Sequence, residues 1–410
     1  MRRLLYMAAL SVCAVFVNCA GPDPAGLNAD LAPTTPSKQV IVSPSQATLD
    51  PGQAQQFTAQ LLQDGKQKKA AFTWSSSNPA VATVSSSGLV TAVAGGDAVI
   101  TATASPSLSG TAHVVVTQPP PQVVATIPLA GGAFGSTVSA NFTAFVGEPS
   151  PGAVQRLDLA TAQVTGTGSA VGGFPVQLYS NAAGTRVYVA NFGGLVASID
   201  TGSLTIVDSV RVGGDAYGIT ATPAGDTVFV GITNGPIYKI ALAQQAILQT
   251  LSLPTAAGYH FEWNQAHTLL YAAARGFDGG RVFEINPSTL EVVRTFETGG
   301  SPQGIALSAD GSKLFIAAEA GDVIVWDIAA NAQVGTITTG CQGYGMLRTP
   351  DNSRLYVSCA LNGVVVVVNP TTGAMIATLN VGGSPRELSF DAASRSVVVP
   401  NESGWVDIIR

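Results

Sequence analysis

Charge is what this chain most lacks. Only 11% of its 410 residues are Asp, Glu, Lys or Arg, against roughly a quarter in ordinary soluble domains. Charged helical bundles, coiled coils and long acidic or basic tails are thereby excluded. With 25 acidic residues against 19 basic ones, no nucleic-acid partner is expected. Histidine is scarcer still: His113, His260 and His267 are too few and too scattered for a His-rich metal centre or a haem attachment site. The four cysteines form no C-x-x-C pair, which removes zinc sites and dithiol redox centres. There is no EF-hand loop, P-loop or G-x-S-x-G elbow. No cofactor and no metal is expected. Beyond the N-terminus no apolar run reaches the roughly 18 residues that a membrane-spanning helix needs.

What the chain does have is 45 glycines and 24 prolines among abundant Ala, Val, Ser and Thr. That mixture favours short β-branched strands joined by tight turns, an all-β protein. The length exceeds a single compact core, so at least two domains are expected.

Arg2 and Arg3 precede an apolar run over residues 4–17, the charged and apolar regions of a secretory signal. The run ends in Phe16-Val17-Asn18-Cys19-Ala20-Gly21, which resembles a bacterial lipoprotein signal. The resemblance implies a signal over residues 1–19 and a lipid anchor on Cys19, the only membrane attachment expected; plain secretion is the alternative. Both readings export the protein, as an outer-membrane or cell-surface lipoprotein or as a periplasmic or secreted chain. Residues 20–37, with Pro22, Pro24, Pro33 and Pro36, read as a flexible tether.

Over residues 38–118, seven candidate strands (40–42, 57–61, 72–74, 81–84, 88–90, 99–102 and 114–116) are separated by turn residues, the pattern of a β-sandwich. Trp74 is expected as the buried plug between its sheets. Lys66, Lys68 and Lys69 read as a solvated hairpin tip. Trp74-Ser75-Ser76-Ser77-Asn78-Pro79, Gly88-Leu89-Val90-Thr91-Ala92 and Gly95-Gly96-Asp97-Ala98-Val99 resemble the group 2 bacterial immunoglobulin-like domain. That resemblance implies a spacer or adhesion module, not chemistry.

Pro119-Pro120-Pro121, within residues 119–122, is a stiff linker. From residue 123 to 410 a glycine opening a small-residue turn recurs about every 42 residues, at Gly131, Gly172, Gly213, Gly258, Gly299, Gly340 and Gly382. Each phase carries an apolar strand, a second strand such as 187–191 or 314–318, a third ending at Asp200, Asn286, Asp327 or Asn369, and a fourth such as 334–337. Four strands per phase and seven phases predict a seven-bladed β-propeller. The last phase stops one strand short, and residues 123–127 supply an unattached strand expected to complete it and latch the ring. Gly299-Gly300-Ser301-Pro302, Gly382-Gly383-Ser384-Pro385, Leu355-Tyr356-Val357-Ser358 and Thr371-Thr372-Gly373 resemble YVTN-type repeat propellers. The fold class is therefore all-β: an immunoglobulin-like β-sandwich followed by a seven-bladed β-propeller closed by an N-terminal strand.

In a propeller the first strand of each blade lines the central channel, and the loops joining second to third and fourth to first strands share one rim, the default binding surface. The rim candidates are Asn191, Asn234, Arg275 with Asp278, Glu319 with Asp322, Asn362, and Asn401 with Glu402. The channel candidates are Tyr217, Tyr259, His260, Glu262, Tyr344 and Arg386. Each also has a plainer role as a hydrated loop side chain or turn cap. His260 and Glu262 lie two apart on one strand and share a face, so they form either a structural hydrogen-bonded pair or an acid/base pair. Some of the propellers that the chain resembles are lactonases or lyases, which makes an enzyme the alternative reading. Cys341 and Cys359 fall at the same rim of one blade, either as a disulfide contributing about 3 kcal/mol in the chain-entropy model or as two inert thiols. The function expected is an exported cell-envelope protein whose immunoglobulin-like spacer presents a propeller that binds a surface ligand, a glycan, peptide or protein, without catalysis.

Overall fold

The computed structural model describes residues 37–139, 142–253, 260–274, 279–319 and 321–410. The signal, Cys19 and the tether lie outside the described residues, as do Tyr259, Arg275 and Asp278. The described chain is all-β, with one 3-10 turn at Leu242–Gln244 and no α-helix.

Ten short strands, not seven, build the N-terminal domain. The additional ones, Gln46–Leu49, Ala54–Gln56 and Lys66–Lys68, are polar and carry little apolar period to betray them. They join three sheets around one core in which Phe57, Val81, Ile100 and Val114 are fully buried. Two expectations are corrected here. Trp74 is only half-buried at the edge of that core, while the completely enclosed aromatic side chain is Phe57. Lys66 and Lys68 are solvated as expected, but on an edge strand paired with Thr58–Gln63, the turn itself being Asp64-Gly65.

The described residues from 123 onward form seven four-stranded antiparallel sheets in a propeller-like arrangement. The inner strands are Ser136–Ser139, Phe174–Ser180, Ala216–Ala221, His260–Trp263, Pro302–Leu307, Met346–Arg348 and Ser389–Asp391. Six outer strands follow in sequence, and the seventh sheet takes its outer strand from upstream: Val123–Pro128 pairs antiparallel with Trp405–Ile409. Thr126 Oγ1 donates to Asp407 at 2.5 Å, and Gln122 and Arg410 exchange backbone hydrogen bonds at 2.8 and 3.0 Å. Apolar clusters join neighbouring sheets, such as Phe145 with Val187 between the first and second, and Ile127 and Val398 with Val146 between the seventh and first.

Three local devices explain the repeat. The third strand ends in Asp or Asn because its side-chain oxygen accepts the next turn's N–H groups: Asp200 from Gly202 and Ser203, Asn369 from Thr371 and Thr372. The recurring glycine is required where φ is positive, at +67° for Gly172, +66° for Gly299, +71° for Gly340 and +65° for Gly382. A β-bulge recurs between third and outer strands and leaves one outer residue unopposed: Val207, Leu248, Val293, Val334, Ile376 and, on the upstream strand, Val124. This accounts for apolar side chains that are 39–55% exposed. A bulged outer edge is also a poor template for edge-to-edge pairing.

A clamp ties the end of the second strand to the glycine loop that enters the same sheet. Asn191 Nδ2 donates to the carbonyls of Val171, at 3.0 Å, and of Gly172; Asn401 Nδ2 donates to Gly382 O at 2.9 Å while its Oδ1 accepts the Ser384 N–H. Glu148 accepts the Gly131 N–H at 2.7 Å in the first sheet. In the sixth sheet the same place is taken by a disulfide, Cys341–Cys359, with the Cα atoms 5.9 Å apart.

A chain shortened to begin at residue 129 will unfold at markedly lower temperature, or aggregate, relative to one that begins at residue 122, as followed by circular dichroism and light scattering; equal midpoints would refute the role given to Val123–Pro128. Asn191→Ala will destabilise by about 1–3 kcal/mol in denaturant unfolding, whereas the exposed Asn362→Ala will stay within about 0.5 kcal/mol.

Candidate functional site

Each inner strand begins at a glycine loop and ends in a hairpin turn, so its two ends face opposite mouths of the central space. At the glycine-loop end that space is filled by aromatic rings. Phe134 stands edge-on to Phe174, Tyr217 and Tyr344 at centroid distances of 5.4, 6.1 and 6.0 Å. Phe192 packs on Phe174 and Tyr217 at 5.6 and 5.7 Å. The Arg386 guanidinium lies over the rings of Tyr344 and Phe134 at 4.5 and 5.0 Å and pairs with Glu402 at 2.6 Å. Burial first, then the nearby Glu387 carboxylate, push the Tyr344 phenol above its ordinary range, so it stays protonated.

Beneath this plug lies a chamber of about 420 Å³ to which the inner strands of all seven sheets contribute. Its lining continues to Pro350 and Ala392 in the hairpin turns, on the side away from the plug. Its polar groups converge from separate sheets. His260 Nδ1 lies 3.3 Å from Glu387 Oε2 and 3.4 Å from Gln177 Nε2, and Gln177 is held by accepting the Ile219 N–H at 2.7 Å. Glu262 and Arg348 lie in the same lining, with Arg348 Nε donating to Leu307 O.

The electrostatics follow from burial and these partners. Burial alone would lower the His260 pKa, but the hydrogen bond and charge of Glu387, with Glu262 adding, outweigh it and raise the imidazole above its ordinary value. Burial raises Glu262, and the charges of His260 and Arg348 offset it only in part. Burial lowers Arg348 against the pull of Glu262 and Asp351. His260 Nε2 has no hydrogen-bond partner among the described residues, which leaves one ring nitrogen able to meet a ligand. Among the described residues no three His, Cys, Asp or Glu side chains are grouped to hold a metal ion.

The predicted rim residues have different fates. Asn191 and Asn401 are 1% and 0% exposed, with their Nδ2 groups engaged in the clamps and the Oδ1 of Asn191 buried without a partner among the described residues, so neither faces the rim. Glu319 accepts from Gln303 at 2.7 Å, Asp322 accepts the Thr339 and Gly340 N–H groups, and Glu402 holds Arg386. Asn234 and Asn362 are exposed on their turns. Tyr217, Tyr344 and Arg386 belong to the plug, while His260 and Glu262 both reach the chamber. Sequence reasoning missed Phe134, Phe174 and Phe192, each indistinguishable from ordinary core residues. It also missed Gln177, Arg348 and Glu387; Glu387 could have been found from its place on the seventh inner segment, directly after Arg386.

Residues 36–115 match the family of bacterial Ig-like domains (group 2). Among solved structures, a chain of Kuenenia stuttgartiensis hydrazine synthase is similar to this one, with a TM-score of 0.62 and 18% identity over 68% of this chain and 95% of that chain. At that identity the likeness speaks for the fold alone. No curated protein matches the chain in sequence. A bacterial Ig-like domain and a disulfide are both typical of extracytoplasmic proteins, and among the described residues no helix is long and apolar enough to cross a membrane. The chain thus joins an N-terminal bacterial Ig-like domain to β-rich, propeller-like sheets.

Proposed function

We propose that this is an exported cell-envelope protein, anchored through Cys19, in which the Ig-like domain presents a closed, seven-bladed propeller of the YVTN type that binds a ligand without turnover. Closure is supported by the upstream strand in the seventh sheet and by the apolar cluster between seventh and first sheets. The observation that carries the binding reading is the chamber with converging polar groups to which seven inner strands contribute. Its size suits a sugar- or peptide-sized polar group, and its groups both donate and accept. Glu262 and Glu387 oppose His260 and Arg348, so the ligand is polar and either uncharged or zwitterionic.

The second reading is an extracytoplasmic lactonase- or lyase-like enzyme. It is favoured by one observation: a carboxylate-held imidazole whose second nitrogen has no partner among the described residues is the arrangement of a general acid or base. A panel of lactones and acidic glycans tests it. Turnover that disappears in both His260→Gln and Glu262→Gln would replace the binding reading.

Binding of the purified protein to an array of cell-wall glycans, peptides and divalent cations should reveal a ligand whose capture falls at least about tenfold, or about 1.4 kcal/mol, in Glu387→Gln; unchanged capture would move the site out of the chamber. The titrations also have a sign. Because His260 is raised, its pair stabilises the fold below the ordinary histidine value of about 6.5 and the contribution is lost as pH rises through the raised value. Glu262 is raised too, so the fold favours its neutral form and loses stability as pH climbs past the ordinary glutamate range. Thermal midpoints should therefore fall from mildly acidic to mildly alkaline pH, with a shallower fall in Glu387→Gln.

A further inference from the structure

A second cavity, of about 460 Å³, lies where the Ig-like domain meets the hairpin side of the sixth sheet. The junction is fixed by Arg354. This buried guanidinium donates to Pro119 O in the linker and, at 3.2 Å, to the Tyr356 hydroxyl. The cleft is therefore a shaped space between two anchored walls.

The walls carry unused hydrogen-bonding capacity. On the Ig-like side, the side chains of Asn78, Asp97 and Gln118 have no hydrogen-bond partner among the described residues. On the propeller side, Asn352 Oδ1 is buried without a partner. Asn369 accepts two turn N–H groups through Oδ1, which leaves its Nδ2 unused. Val115 and Ile376 add exposed apolar surface to the same lining.

This chemistry discriminates. An anion would meet the carboxylates of Asp97 and Asp351, while the cation of the lining, Arg354, spends its terminal nitrogens on Pro119 O and the Tyr356 hydroxyl and keeps only a buried Nε without a partner among the described residues. An apolar ligand would leave the carboxamides stranded. An extended peptide would need a regular open strand edge: on the Ig-like wall Gly96–Ser105 and Leu108–Val116 are both interior to their sheet, and on the propeller wall the outer strand Met375–Asn380 is an edge broken by a bulge at Ile376. A hydroxyl both donates and accepts, matching the carboxamides of Asn78 and Gln118 and Asn369 Nδ2, while the C–H face of a sugar ring suits Val115 and Ile376. We propose that this interdomain cleft binds a neutral oligosaccharide. The cleft shares no lining residue with the central chamber, so it stands independently of the binding assigned there.

The test is calorimetric titration of the full chain with neutral cello-, malto- and chito-oligosaccharides. At least one series should bind, and about tenfold or more weakly when Asn78→Ala and Asn352→Gly are combined. Glycine suits position 352 because the backbone there has φ +58°. Should the double variant unfold, hydrogen exchange of the unaltered protein decides: the sugar must slow exchange at residues 94–98 and 351–354. The proposal is overturned if none of the three series binds, if the folded double variant binds equally well, or if slowed exchange is confined to the inner strands.

Discussion

The pairing of Val123–Pro128 with Trp405–Ile409 is the contact on which the arrangement of the other sheets rests. Thr126 and Asp407, which it brings together, are 281 residues apart. Loop-closure entropy grows only logarithmically, so joining them costs about 2 kcal/mol more than closing one 42-residue sheet. Against that stand the strand ladder, the Thr126–Asp407 hydrogen bond and the two backbone bonds between Gln122 and Arg410. Arg410 extends the tie: its guanidinium donates to Ser396 Oγ at 2.8 Å and, in the first sheet, to Leu159 O at 2.7 Å. One terminal residue thus holds the seventh sheet, the upstream strand and the first sheet together.

Much of this architecture was legible because its causes are local. A third strand ending in Asp or Asn, a glycine forced to positive φ and a run of Val, Ile and Phe each act within a few residues of themselves. The disulfide was legible because Cys341 and Cys359 have few competitors in the chain. The site was harder to see. His260 meets Gln177, 83 residues away, and Glu387 only through the way the sheets are arranged, and no spacing rule links them. The rim asparagines misled for a related reason. Polar residues at a loop read as exposed, yet Asn191 and Asn401 are buried where glycine loops need a donor for their carbonyls. The polar strands Gln46–Leu49 and Lys66–Lys68 were invisible because pairing, not side-chain pattern, makes them strands.

The two ends of the central space differ in kind, and each makes the other workable. Phe134 is part of the plug through its ring and touches the chamber through its backbone, where its carbonyl accepts the Glu387 N–H at 3.3 Å. The aromatic end excludes water and lowers the local dielectric, which strengthens the pairing of His260 with Glu387. It also raises the cost of leaving a buried charge unpaired, which is why the chamber's carboxylates sit near an imidazole and a guanidinium. Ion pairs of this sort contribute little net stability when compared with apolar packing. Their concentration in one cavity, within a chain so poor in charge, is what supports the binding reading proposed above.

The turn between the inner and second strands of the sixth sheet links the chamber to the other domain. Pro350 lines the chamber, while its neighbour Asp351 lines the interdomain cleft. Asp351 is held in place by Thr349, Ser353 and Arg395, whose hydrogen bonds outweigh burial and keep its carboxyl below the ordinary value. Three residues further on, Arg354 grips the linker carbonyl at Pro119. A single rigid turn consequently forms the lip of the chamber, one wall of the cleft and the seat of the Ig-like domain. That domain therefore stands beside the side of the chamber that the hairpin turns line.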